Sequence, residues 1–214
     1  MSDTQIRNDF DEIARLSGTR GGGDDRYDKF LTSLVPCDAR EVLDVGCGLG
    51  RLAARLAAPH RNVTGVDLSP EMIIRAKTLK GAAGKLKFLC GNFVEMEFPN
   101  SAFDCVISAA ALHHMPTKTA VERMISLVRP GGTLVIHDLR SASGVLDRTL
   151  FAVAGVVNCV KRLIRTGRLL PERALREAWA KHGEGETYLS MTQVRALANS
   201  LLPSAAYRHW FWKY

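Results

Sequence analysis

A doubly wound α/β domain with a mostly parallel sheet is the fold class this sequence predicts, on three observations. Between Glu41 and Asp138, short apolar runs rich in branched residues alternate with stretches of helical periodicity. The first run leads straight into a turn of alternating glycines, "VLDVGCGLG". The intervening helical stretches carry recognisable ends. Strand, helix and strand repeated in this way require right-handed crossovers, and so a parallel sheet covered by helices on both faces.

The elements follow in order. The opening "MSDTQIRNDFDEIARL" is acidic and polar, which argues against a signal peptide. Residues 1–40 are expected to form an N-terminal helical arm or lid, with "TRGGGDD" (Thr19 to Asp25) as a flexible joint. Tyr27 belongs to that lid or packs on it. Residues 41–214 form the main domain. "EVLDV", "NVTGVD", "KLKFLC", "DCVISAA" and "TLVIHD" read as strands buried on both faces. Ser69 can cap a helix whose first turn holds Pro70 and Glu71, the proline replacing an amide that would lack a partner there. Val121, Met124, Ile125 and Val128 recur at helical spacing until "RPGG" ends the helix.

After Asp138 the rhythm breaks into a helical insertion, residues 139–190. Leu146, Leu150, Val153, Val157, Val160 and Ile164 form a stripe, but Phe151, Ala152 and Val156 make the opposite face apolar too. Such a helix is either buried or closes over an apolar ligand. A basic section follows, with Lys161, Arg162, Arg165, Arg168, Arg173 and Arg176. "SMTQ" offers a capping box, Ser190 with Gln193, ahead of a helix using Val194, Leu197 and Leu201. "AYRHWFWKY" is expected to add one antiparallel edge strand.

Composition sets bounds. The 214 residues suit one domain with a real core, and 46% hydrophobic with 24% charged residues is globular usage. Five cysteines with no CxxC pair fit reduced thiols in a cytoplasmic protein. The longest apolar run, Leu150 to Val160, is too short to span a bilayer. No metal-ligand set emerges, since His113 and His114 are adjacent rather than helically spaced. The formal charge of +7 admits a nucleic-acid partner or merely a basic solvated surface.

A glycine turn between a strand and a helix cradles an anion or nucleotide, because bare backbone amides can approach the ligand. The spacing discriminates among ligands. The dinucleotide fingerprint needs a third glycine where Arg51 stands, and the phosphate loop's G-x-x-x-x-G-K-[ST] is absent. The pattern D-V-G-C-G-L-G resembles the class I S-adenosylmethionine-dependent methyltransferases, and the resemblance runs from about Glu41 to Leu139. It implies a Rossmann-like methyltransferase fold with strand order 3-2-1-4-5. It also implies that Asp44, Gly46, Cys47, Gly48 and Gly50 cradle the amino-acid part of S-adenosyl-L-methionine. Asp67 matches the acidic residue that binds the ribose hydroxyls, with Leu68 and Met72 lining the adenosine pocket. A carboxylate suits a vicinal diol, accepting two hydrogen bonds at once.

Where the family has an acidic residue for the adenine amino group, this chain has Asn92; its side-chain oxygen can still accept while the Phe93 amide donates. "EAWAKHGEGETYLSMTQVRALANSLLP" is similar to C-terminal segments of small-molecule members of the type 11 and type 25 groups. The family's sheet closes with two antiparallel strands, and this chain supplies one. It is therefore either natively short or truncated, and an open sheet edge favours a homodimer or a poorly ordered tail.

Methyl transfer needs alignment and exclusion of water, and a base when the acceptor is a hydroxyl or carbon acid. His113 and His114 follow the fourth strand, whose carboxyl end faces the ligand crevice, so either could take the proton; alternatively they pack beneath the cofactor. His137 and Asp138 point toward the crevice mouth but suit a turn better; His182 and Tyr188, which flank "GEGE", could close over substrate but suit a surface turn better; and Cys47 suits a small filler. Three functions are weighed: methylation of a small, partly apolar molecule; methylation of RNA or another nucleic acid; and non-catalytic cofactor binding. The first fits best, on the single compact domain, the mostly apolar inserted helix and the C-terminal resemblance; against the second, "SAAALHHM" stands where base-directed amino methyltransferases carry an "NPPY"-type sequence.

Overall fold

The computed structural model describes residues 1–17, 25–79, 85–141, 144–203 and 206. Five parallel strands, β1 (Glu41–Val45), β2 (Asn62–Asp67), β3 (Leu86–Cys90), β4 (Phe103–Ala109) and β5 (Val128–His137), lie in the order β3-β2-β1-β4-β5. Each predicted run is a strand. The expected antiparallel edge strand over residues 206–214 and the joint at residues 19–25 fall almost wholly outside the described residues.

Alternation along the central strands explains the two layers. Val42 faces one side with Leu52 and Leu56 of α3 (Arg51–Leu56), Ile73 of α4 (Pro70–Ala76) and Leu31 of α2 (Asp25–Ser33). Leu43 and Val45 face the other, against Met124 and Leu127 of α5 (Thr117–Leu127). Each such fully buried aliphatic side chain contributes roughly 1.5–3 kcal/mol relative to exposure. As read from the sequence, Ser69 caps α4 by accepting from the Met72 amide at 3.1 Å. Ser190 and Gln193 form the capping box of the helix Met191–Leu201. "RPGG" does end α5, but pairing resumes at once. Phe103 is opposite Val128 and Cys105 opposite Thr133, so Arg129 to Gly132 are accommodated by a register shift within β5.

Three helices sit over the carboxyl ends of the strands. α1 (Asp3–Leu16) packs on α4 and on α7 (Arg173–Gly183), and α6 (Gly144–Thr166) precedes α7. Helix α6 departs from the buried alternative. Val156 is 65% and Ile164 81% exposed, while Ala154 is buried and Val157 and Cys159 line the crevice below. It lies across the crevice mouth, so only one narrow face is covered. Among the described residues no helix is long and apolar enough to cross a membrane. These helices and the sheet enclose one large crevice.

Candidate functional site

The crevice opens at the carboxyl ends of β1, β2 and β4 and has a volume of about 2260 Å³. That exceeds the roughly 300–1,000 Å³ of an ordinary single-ligand pocket. Its first half is made of backbone. The Gly46 and Cys47 amides donate to the Val66 carbonyl at 2.8 and 2.9 Å, tying the glycine turn to β2. Gly46 has φ +72°, and a Cβ there would lie 2.1 Å from the Ala111 Cβ, so no other residue fits without moving the turn after β4. Gly48 has φ +51°, yet a Cβ there meets nothing within 4 Å. The first glycine lets chain pass chain, and the second leaves a bare backbone facing the crevice.

Two carboxylates flank that turn. Asp67, the last residue of β2, accepts from the Gly48 amide at 2.7 Å and from the Ser69 amide at 2.9 Å. Burial pushes its carboxyl above the usual range, and those two amides oppose the shift. Asp44 is buried, and its Oδ2 has no hydrogen-bond partner. Burial, then the charge of Asp67, pushes it up to about 7, against the opposing Ala53 amide. An orphaned carboxylate oxygen beside a bare turn suits a ligand that brings a cation or N–H donors.

Leu68 lines the crevice, as do the buried Met72 and Phe93. Asn92 is more engaged than expected: its Oδ1 accepts from the Val94 amide at 3.0 Å and its Nδ2 donates to Asp3 of α1 at 2.8 Å. A further acceptor bond from Oδ1 therefore uses its second lone pair. Burial raises the Cys47 thiol well above its ordinary value, and its sulfur packs against Gly65, as befits a filler.

Helix α1 is latched over this half. Asp11 accepts from the Ser69 hydroxyl at 2.5 Å and the Glu71 amide at 3.2 Å, while Arg15 reaches Glu71 at 3.3 Å. These bonds bring the arm read from residues 1–40 across the entry to the crevice.

Beside the crevice, behind His114, a second arrangement is built from side chains. His113 and His114 lie in a short 3₁₀ turn after β4. His113 Nδ1 donates to Asp138 at 2.6 Å, and its Nε2 lies 3.5 Å from Glu186. His114 lines the crevice, with Nδ1 3.1 Å from the same Glu186 oxygen. Burial first, then His113 and His182, hold the His114 imidazole down at about 3. His182, expected in a surface turn, is 2% exposed on α7 and bonded to Asp9 of α1. Tyr188 donates its hydroxyl proton to Glu186. Tyr27, on the crevice wall, is hydrogen-bonded through its hydroxyl to His137 Nδ1 at the end of β5.

Sequence reasoning did not foresee Glu186, Asp9 or the Tyr27–His137 pair. His182 and Glu186 stand four apart, a visible helical spacing, but nothing in the sequence joins them to His113 some seventy positions earlier.

Comparison with known proteins now adds identity. A methyltransferase domain family model matches residues 43–136. An uncharacterized methyltransferase of Mycobacterium tuberculosis is 42% identical over 139 residues, covering 63% of this chain and 70% of that protein. The 2-methyl-6-phytyl-1,4-hydroquinone methyltransferase of Synechocystis is 39% identical over 99 residues, 45% of this chain and 31% of that one. Phosphoethanolamine N-methyltransferase 2 of Haemonchus contortus, solved with S-adenosyl-L-methionine, shares the fold at 20% identity. That match has a TM-score of 0.60 and covers 94% of this chain and 41% of the other. Glycine turn, strand order and sequence kinship agree: the chain belongs to the class I S-adenosylmethionine-dependent methyltransferases.

Proposed function

We propose that this protein transfers a methyl group from S-adenosyl-L-methionine to a small, partly apolar acceptor. One observation carries the reading: the glycine turn and its carboxylates share a single crevice with an apolar wall from the helical insertion. The orphaned Asp44 oxygen and the open face of Gly48 fit the amino-acid end of the cofactor, and Asp67 fits the ribose diol. When bound, the cofactor supplies a methyl group on an electrophilic sulfonium, so the protein's share is alignment and exclusion of water. Helix α1 does the excluding through the Asp11 latch. Val157, Leu169, Leu170, Leu175 and Trp179 form the acceptor's apolar wall.

For an acceptor that must lose a proton, we assign the base to the Tyr27–His137 pair. The phenol faces the crevice, and the imidazole behind it can take the phenolic proton, leaving an oxygen able to deprotonate the acceptor. His113 and His114, the bases the sequence offers, suit another role. The ring nitrogens of His113 face Asp138 and Glu186, and the buried His114 is too weakly basic to hold a proton near neutrality.

The nucleic-acid reading rests on six basic residues, two of which are paired locally. Arg168 reaches Glu172 at 3.2 Å and Arg173 reaches Glu177 at 2.7 Å. Calorimetry with S-adenosyl-L-methionine, followed by transfer of labelled methyl to a panel of small amphiphilic hydroxy, amino and carbon acids, tests the proposal. Binding plus turnover with one chemical class is expected. Absence of binding overturns it, as does methylation of RNA alone with steep salt dependence.

A further inference from the structure

We propose that His113, His114, His182 and Glu186 form a binding site for a divalent transition-metal ion of the zinc type, beside the acceptor half of the crevice. Glu186 Oε1 lies 2.6 Å from His182 Nε2, 3.1 Å from His114 Nδ1 and 3.5 Å from His113 Nε2. The donor atoms of His113, His114 and Glu186 all fall within 4.8 Å of one another. These side chains are almost sealed from solvent: 6% exposed for His113 and Glu186, 3% for His182 and 11% for His114.

The atoms converge, but not as hydrogen bonds do. Glu186 Oε1 and His182 Nε2 are buried and make no hydrogen bond of acceptable geometry, although they are near neighbours. The donor atoms of His113, His114 and Glu186 stand within reach of one ion, and His182 Nε2 lies against the same carboxylate oxygen without donor–acceptor alignment, as a shared cation requires.

The surroundings agree independently. A metal-bound histidine offers one ring nitrogen to the ion and donates the other N–H to a carboxylate or carbonyl, which fixes its tautomer and raises its basicity. His113 does this with Asp138 at 2.6 Å, and His182 does it with Asp9 at 3.2 Å. A carboxylate only accepts, so each Nδ1 carries the proton and each Nε2 presents its lone pair to Glu186. The acid is held as well, since Tyr188 donates to its other oxygen, and Asp9 is fixed by Gln5 at 2.6 Å. Three imidazoles and one carboxylate with no thiolate select zinc, cobalt or a similar ion over magnesium or calcium, which prefer oxygen.

The ligands come from the turn after β4, from α7 and from the turn beyond it, and α1 supplies the supporting Asp9. The ion would therefore fasten the lid and insertion to the sheet. The inference goes beyond the methyl-transfer reading and does not rest on it.

The test uses the full chain, stripped with a chelator and then dialysed against zinc, with no cofactor or acceptor present. Metal content after dialysis is expected to be one equivalent. His182→Ala and Glu186→Gln should each lower retention at least tenfold, while the exposed His60→Ala should keep it. Cobalt added to the unmutated protein guards against variants that do not fold. Strong visible bands of low-symmetry, four- or five-coordinate cobalt are expected, without thiolate charge transfer. Zinc retention that His182→Ala and Glu186→Gln leave unchanged, or a weak octahedral cobalt spectrum, overturns the proposal in favour of a buried cluster held by protons alone.

Discussion

On the β1–β3 side of the crevice, backbone amides do the holding. Gly48 and Ser69 donate to Asp67, Gly46 and Cys47 donate to Val66, and the whole arrangement comes from residues 44–72. On the β4–β5 side, side chains hold side chains. His113, Asp138, His182, Glu186, Asp9 and Tyr188 meet from five separate segments of the chain. The first half depends on conformations that few residues adopt. The second depends on the N-terminal lid and the insertion closing correctly over the sheet. Substitutions in the first should strike ligand affinity or folding, and substitutions in the second should strike turnover.

The largest effect should appear in the side-chain half. With an acceptor that must lose a proton, Tyr27→Phe is expected to lower kcat about 10²–10⁴-fold, the usual worth of a positioned base. The cofactor dissociation constant should stay within about twofold. Stopped turnover and calorimetry on the same preparation separate the two. If kcat is retained in full, the base lies elsewhere and the division between halves fails on that side.

Next come the two glycines, which share a backbone region and differ in their surroundings. Gly46→Ala drives a methyl to within 2.1 Å of the Ala111 Cβ and keeps a positive φ. Overpacking and left-handed strain together should cost about 2–5 kcal/mol, read in urea unfolding. Gly48→Ala meets nothing within 4 Å, so only the strain of about 1–2 kcal/mol applies. Its methyl should instead cut cofactor affinity. Equal loss of stability in the two variants would mean that Gly48 is not the open face of the cradle.

Asp67→Ala follows in size. Deleting charge-assisted hydrogen bonds worth about 1.5–3 kcal/mol should weaken cofactor binding about 10- to 150-fold by calorimetry. Asp67→Asn keeps an acceptor for the amides and should recover part of that loss. An unchanged affinity in both variants would detach the carboxylate from the ribose.

The same contrast explains what could be read in advance. The strands themselves, the Ser69 cap, the Ser190 box and the glycine turn are encoded by neighbours within a few residues, where hydrogen-bond geometry and apolar period act directly, whereas the strand order follows from the family resemblance. Asp44 stands one residue before the end of β1 and Asp67 ends β2, its parallel neighbour, so their meeting follows from the sheet. His182 read as a surface residue because "KHGEGE" is polar; its burial depends on Phe10 of α1 and on Asp9, which no local pattern announces. Helix α6 departs from one of its two alternatives. Its apolar faces suggested burial, but it spans a mouth rather than a core, so Val156 and Ile164 stay exposed.

The last expected effect is the most specific to the backbone half. Asp44 stands in the folded chain at about 7 and in the unfolded chain near 3.8, raised by burial and then by Asp67 on β2, with Asp28 on α2 adding a little. The folded state therefore binds more protons between those two values, and stability falls as pH rises from about 4 to about 7. The limiting slope is about 1.4 kcal/mol per pH unit for one proton. Asp44→Asn should flatten that part of the profile in urea titrations followed across pH. Cofactor binding should show the opposite sign. If Asp44 pairs with the cofactor's ammonium group it must be ionised, so affinity should weaken as pH drops below about 7. Near pH 6, binding should then release close to one proton, measured by calorimetry in buffers of different ionisation enthalpy. No proton release, together with an unaltered pH profile in Asp44→Asn, would remove Asp44 from the cofactor's contacts while leaving Asp67 in place.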